Sequence, residues 1–348
     1  MKFISSIAAV LVLSTVAAAS CFAQFGPAPD VEFNPVGLAK QMVPSQACVG
    51  FWKQPGFKCW PVQVPVYMAH AKTGGDNKAV VFITHGSGGL DKRHSDYAHY
   101  LAANGITAVA MGHWEARGVG KIHFDYNKAR TQGADAFNQA IDALAIAGSF
   151  KQRPEYATAK FGFLGESMGG TVAMNIARPY MYEIVHEVTG LPKKELFVAS
   201  VGLYAGCVDQ NTAENFKPIP TLLITGEKDS KTPVANCQQQ VTWMNSRGGA
   251  AEPVMVLPGE HHDFDAPWRI HYNPTAENAS KCRAVSDKGQ YTLVQGGKTF
   301  PASFDGLQEL RRECMGKGVF NGNNGNPKMG YDRWLAFFQN KLLVQPSR

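Results

Sequence analysis

A serine set between glycines is the first residue in this chain whose surroundings suggest chemistry. Gly165-Glu166-Ser167-Met168-Gly169 fits Gly-x-Ser-x-Gly, the form of a sharp strand-to-helix turn that holds a hydroxyl proud of a sheet. The preceding Lys160-Phe161-Gly162-Phe163-Leu164 is short and apolar like a buried strand, and Met168 to Ala177 reads as the helix. Side chains at 165 and 169 would collide in so tight a turn, which is why glycine stands there. The plainer alternative is a serine that only caps the helix. A hydroxyl attacks once a base takes its proton, and the usual base is a histidine held by a carboxylate.

Ser167 is followed in the required order by Asp229 and then His262, each just past an apolar run, where open α/β sheets place their sites. Glu227 rivals Asp229 as the acid, but Asp229 lies further into its loop, where it can reach across. His261 and His262 are adjacent, and neighbouring loop side chains generally point in different directions. An acyl transfer also needs donors for an oxyanion. The backbone N–H of Met168 is one candidate; that of Ser87, in His85-Gly86-Ser87-Gly88-Gly89, is the second. His85 is expected to brace its loop. His113, Trp114, Glu115, Arg117 and Tyr204 fall near strand ends. Trp114 and Tyr204 suit an acyl or aromatic pocket, or simple packing. Arg117 suits a substrate carboxylate, or a salt bridge to Glu115 or Glu166.

The elements that would position these groups alternate. Ala79 to Thr84, Ile106 to Met111, Phe197 to Tyr204, Thr221 to Thr225 and Val254 to Leu257 are apolar runs of strand length, suited to burial on both faces. Helices are expected at Tyr97 to Asn104, Ala134 to Gly148 and Asn236 to Ser246. In the second, Phe137, Ala140, Ile141, Leu144 and Ala145 share a face, while Asp135, Asn138 and Asp142 point away. Such alternation predicts a mostly parallel central sheet with helices on both faces. Val62 to His70 reads as an edge strand because Pro65 interrupts it. Gln24 to Pro61 reads as an extended arm, 267–330 as an insertion with short hairpins and a helix at Gly306 to Gly316, and Tyr331 to Leu342 as a closing amphipathic helix. These make one domain over 24–348.

The 348 residues are 45% hydrophobic and 18% charged with a net charge of +6, and no dense Lys/Arg run points to nucleic acid. Lys2 and the apolar Phe3 to Ala19 precede a small-x-small site at Cys21-Phe22-Ala23, which predicts a signal peptide over 1–23 and export to the periplasm or beyond. A lipoprotein anchored at Cys21 is the alternative. No later apolar run is long enough to span a bilayer. The other six cysteines form an even set with no Cys-x-x-Cys, so disulfides are expected. The preferred pairs are Cys48–Cys59 and Cys282–Cys314, which close local loops, and Cys207–Cys237, which joins two loops at one sheet edge. No metal or organic cofactor is implied, and oligomeric state is not legible.

These motifs resemble the dienelactone hydrolase family of α/β-hydrolases. The resemblance rests on His85-Gly86-Ser87-Gly88-Gly89, Gly165 to Gly170, Leu203-Tyr204-Ala205-Gly206-Cys207, Thr221 to Asp229 with Thr232-Pro233, and Gly259 to Asp265. It implies an α/β-hydrolase fold. The family's His-x-Phe and Gly-x-x-Asp patterns imply His262 as base and Asp229 as acid. Dienelactone hydrolases proper use a cysteine nucleophile, so Ser167 favours an ester hydrolase acting on a small-molecule ester through an acyl-enzyme. A serine peptidase or amidase of the same fold, and a non-catalytic binding module with a retained triad, are the alternatives.

Overall fold

The computed structural model describes residues 24–25, 31–72, 78–119, 129, 131–207, 215–287, 290–301 and 303–344. The expected signal peptide and Cys21 lie outside them. The main sheet contains β1 (Ala39–Val49), β2 (Lys58–Ala69), β3 (Ala79–Thr84), β4 (Thr107–Met111), β5 (Lys160–Glu166), β6 (Phe197–Leu203), β7 (Pro220–Gly226) and β8 (Met255–Leu257). Their order is β1-β2-β4-β3-β5-β6-β7-β8, and a two-residue strand, Ala250–Ala251, pairs with β7. Pairing is parallel from β4 to β8, and β2 runs antiparallel to both its neighbours.

The continuous apolar runs are explained by two cores. In β3, Val80 and Phe82 enter one core while Val81 and Ile83 enter the other, because successive strand residues point to opposite faces. The first core is covered by α2 (Ala136–Lys151), α3 (Met168–Asn175), α4 (Pro179–Thr189) and α5 (Val234–Ser246); the second by α1 (Lys92–Ala103) and α7 (Tyr331–Phe338). Phe82, Phe150, Phe161 and Phe197 meet edge-on around one point, each burial being worth about 1.5–3 kcal/mol.

Three expectations change. The edge of the sheet is β1, and β2 lies inside it. Pro65 is tolerated because it stands at the end of the β2–β4 ladder, which covers Val66 to Ala69; its carbonyl takes the Gly112 N–H at 2.8 Å, and its missing N–H interrupts no pair within that ladder. Cys48 and Cys59 are directly opposed in that β1–β2 hairpin and bonded, so this part of the expected arm is sheet. Second, α2 is not amphipathic in the expected sense: Asn138 and Asp142 are wholly buried, and each finds polar partners there. Third, α4 was not anticipated, although Pro179 at its first turn and the left-handed Gly190 at its end are ordinary helix punctuation.

Beyond β8, β9 (His271–Asn278) pairs antiparallel with a later strand, Gly316–Asn321. Between them lie a three-stranded meander (Ala284–Asp287, Gln290–Leu293, Thr299–Pro301) and α6 (Phe304–Cys314). Cys282–Cys314 ties the meander to α6, and Cys207–Cys237 ties the loop after β6 to α5. The three disulfides are the three expected, and they point to an oxidising environment. No helix among the described residues is long and apolar enough to cross a membrane.

Candidate active site

Ser167 ends β5 and starts α3 with φ 53° and ψ −110°, a conformation costly for a residue with a side chain. The turn is held by geometry that leaves no alternative. Its N–H donates to Leu203 O at 2.9 Å, and a Cβ on Gly165 would lie 2.1 Å from Gly169 O. The Ser167 side chain makes no cap to α3, so the capping alternative fails. Instead its Oγ lies 3.1 Å from His262 Nε2, and His262 Nδ1 lies 2.8 Å from Asp229 Oδ2. The three groups come from the C-terminal ends of β5, β7 and β8 and are buried.

The expected acid, Asp229, is held by its own loop. Asp229 Oδ1 accepts the N–H groups of Lys231 and Thr232 at 2.9 and 2.7 Å. Thr232 Oγ1 lies 2.6 Å from Asp229 Oδ2, 3.1 Å from His262 Nδ1 and 3.0 Å from Tyr204 O. The rival Glu227 points elsewhere, accepting Gly259 N–H. His261 faces away against Phe320. Gly322 N–H donates to His262 O, so the strand Gly316–Asn321 supports the His262 loop.

Met168 N–H opens α3 and is one of the unsatisfied donors of a helix start. Ser87 lies in the loop between β3 and α1. Each peptide group before it is held: Gln139 Nε2 donates to His85 O at 2.8 Å, His85 Nδ1 donates to Gly86 O at 2.7 Å, and Gly86 N–H donates to Glu166 Oε1 at 2.6 Å. His85 therefore braces the loop. Burial depresses it, and neighbouring His113 adds to that, leaving a neutral ring whose Nε2 accepts Trp114 N–H at 3.4 Å.

The expected pocket residues are otherwise engaged. Arg117 reaches neither Glu115 nor Glu166; its guanidinium pairs with buried Asp142 at 2.8 and 3.1 Å. His113 Nδ1 and Ser45 Oγ also bond Asp142, each at 2.5 Å. Burial and Arg117 hold His113 down at about 4. Tyr204 is fully buried behind His262, ring centroids 4.7 Å apart, and its hydroxyl donates to Asp265 and accepts from Arg93. Trp114 is also buried; its Nε1 donates to Ala134 O, and it belongs to a small apolar cluster against which Met168 packs.

A buried charge cluster behind the base was missed. Arg93, in the first turn of α1, bonds Asp91, Asp263 Oδ1 and Tyr204, and lies 3.7 Å from Glu166 and 3.9 Å from Asp265. Burial pushes Asp265 up to about 6 despite Arg93. Burial would lower His94, but Asp91 and Glu166 outweigh it and raise it to about 9. The only sequence signal was the density of carboxylates in His262-Asp263-Phe264-Asp265. Among the described residues, no group of three or more His, Cys, Asp or Glu is arranged to hold a metal ion.

The serine aminopeptidase S33 family model matches residues 75–191, the segment from before β3 into the loop after α4. No curated protein matches the chain. Among solved structures, it is similar to a dienelactone hydrolase from Anabaena variabilis (16% identity, TM-score 0.44, covering 66% of this chain and 91% of that one). It is also similar to a thermophilic esterase from Thermogutta terrifontis (13% identity, TM-score 0.47, 66% and 85% covered). The strand order and the serine turn between β5 and α3 are those of the α/β-hydrolase fold, and the motifs resemble those of the dienelactone hydrolases.

Proposed function

We propose that this protein is an exported serine hydrolase that cleaves carboxylic esters through an acyl-enzyme. The observation that carries the reading is the chain of contacts from Ser167 Oγ to His262 Nε2 (3.1 Å) and from His262 Nδ1 to Asp229 (2.8 Å). In this reading His262 takes the Ser167 proton as Oγ attacks the ester carbonyl. Asp229 stabilises the imidazolium that forms. The N–H groups of Met168 and Ser87 receive the oxyanion. His262 returns the proton to the departing alcohol, and water attacks the acyl-enzyme by the same route in reverse. The disulfides support export from a reducing cytosol, with residues 24–348 as the mature α/β-hydrolase domain.

The test is Ser167→Ala on short p-nitrophenyl esters, with mass spectrometry of the parent chain after fluorophosphonate treatment. Loss of turnover with retained circular dichroism, and one adduct on Ser167, is the expected result. Full activity in the variant would sink the reading, and absence of an adduct on the folded parent would favour a binding module. The aminopeptidase name of the matching family model motivates a second reading, an amidase; turnover of peptide anilides without esters would favour it.

A further inference from the structure

We propose that Glu166 is a positioning residue that clamps the oxyanion loop against the nucleophile turn, so that the Ser87 N–H is aimed before substrate arrives. The proposal rests on the reading of Ser167 as nucleophile. The residue before the serine is unspecified in Gly-x-Ser-x-Gly, and here it is a buried carboxylate. Its side chain doubles back from the end of β5 and takes the Gly86 N–H at 2.6 Å. Gly86 has no room for anything else: a Cβ there would lie 2.6 and 2.9 Å from the Glu166 carboxylate oxygens and 2.9 Å from Ser167 Cβ. Glycine is therefore what allows carboxylate, loop backbone and nucleophile to meet.

The remaining polar groups of this stretch are held as well. The carbonyl of residue 85 is taken by Gln139, and that of residue 86 by His85 and by Gly89 N–H at 3.3 Å. With Glu166 on the Gly86 N–H, both peptide planes leading to Ser87 are fixed, and the next donor in line is the Ser87 N–H itself. A carboxylate this close to a developing oxyanion would oppose it. Arg93 Nη2, from the first turn of α1, lies 3.7 Å from Glu166 Oε1 and offsets that charge, with His94 Nε2 3.6 Å from the same oxygen. Asp91 pairs with the outer side of Arg93 at 2.7 Å and donates its N–H to His94 Nδ1 at 3.0 Å. Fixed donors require no reorganisation during the reaction, and one such donor contributes about 10²- to 10³-fold.

The experiment compares Glu166→Ala, Glu166→Gln, Gly86→Ala and the double variant Gly86→Ala/Glu166→Ala with the parent. Folding is checked by circular dichroism, and kcat and KM are measured separately on p-nitrophenyl acetate. Fluorophosphonate labelling of the parent comes first; without an adduct on Ser167 the nucleophile reading itself falls, independently of Glu166. Glu166→Ala is expected to lower kcat by roughly 10²-fold, with KM within about threefold and phosphonylation slowed in parallel. Glu166→Gln keeps an acceptor oxygen and is expected to recover about tenfold of that loss. Gly86→Ala keeps Glu166 but displaces its carboxylate, and it too should lose about 10²-fold. The double variant should fall about as far as the worse single one, because both break the same contact. A Glu166→Ala enzyme within about threefold of the parent, a loss carried by KM alone, glutamine as slow as alanine, or multiplicative losses in the double variant would overturn the proposal. Should Glu166→Ala not fold, Gly86→Ala decides: kcat within about threefold of the parent overturns it.

Discussion

Replacing Asp142 by asparagine tests how the loop beside the active site is held. Asp142 is buried in α2 and binds Arg117 through two contacts, His113 and Ser45. Burial alone would raise its carboxyl, but the Arg117 charge and the hydrogen bonds from His113 and Arg117 hold it at about 2. Moving from the ordinary 3.8 to about 2 corresponds to about 2 kcal/mol. The neutral amide would also leave Arg117 as an unpaired buried cation, and breaking such a pair typically costs about 3–5 kcal/mol. At about 2 cal/mol/K per residue, a chain of this length should melt about 4–7 °C lower. Because the folded carboxyl is depressed, its contribution is complete above the unfolded value and fades as pH falls through about 2. Urea denaturation at pH 7 and an acid titration of stability check both parts. A loss below about 1 kcal/mol, or an unchanged acid limb, would refute the reasoning. The apolar pair Arg117→Met/Asp142→Leu should be less harmful than Asp142→Asn, since it strands no charge.

Other expectations are simpler to check. Thr232→Val removes the hydroxyl between Asp229 and His262 and should lower kcat roughly tenfold with KM unchanged, while Thr232→Ser restores it; steady-state kinetics decide. Cys207→Ala/Cys237→Ala opens a loop with a sequence separation of 30 and should cost about 3–4 kcal/mol, seen as a lower melting temperature that reductant no longer changes. Gly165→Ala drives a Cβ to 2.1 Å from Gly169 O and should give insoluble or unfolded chain, whereas a soluble, active variant would show that the turn can shift.

What could be read from the sequence was local or set by position along the sheet. The strands β3, β5, β6 and β7 were legible because burial on both faces leaves a run of apolar residues. Ser167, Asp229 and His262 were legible as candidates because each follows such a run. Arg93 was not, since Lys92-Arg93-His94-Ser95-Asp96 has the composition of an exposed helix start, and its partners other than Asp91 arrive from the ends of β5 and β6 and from the loop after β8. Asn138 and Asp142 misled for the same reason. Periodicity assigns polar residues to solvent, but these two are satisfied inside the protein by Cys48, Arg117, His113 and Ser45. Arg117 and Tyr204 stood where a pocket was expected, and their hydrogen bonds are spent on the scaffold.

The contact between Gly322 and His262 changes what trimming this chain would mean. The His262 carbonyl is held by a segment that the chain reaches only after building the meander, α6 and the Cys282–Cys314 bond. The stretch from His271 to Gly322 is therefore a brace for His262, reached late in synthesis. A shortened chain made by excising it would keep Ser167, Asp229 and His262 and lose the backbone partner of the histidine. Laboratory evolution toward a smaller scaffold would have to replace that single hydrogen bond first.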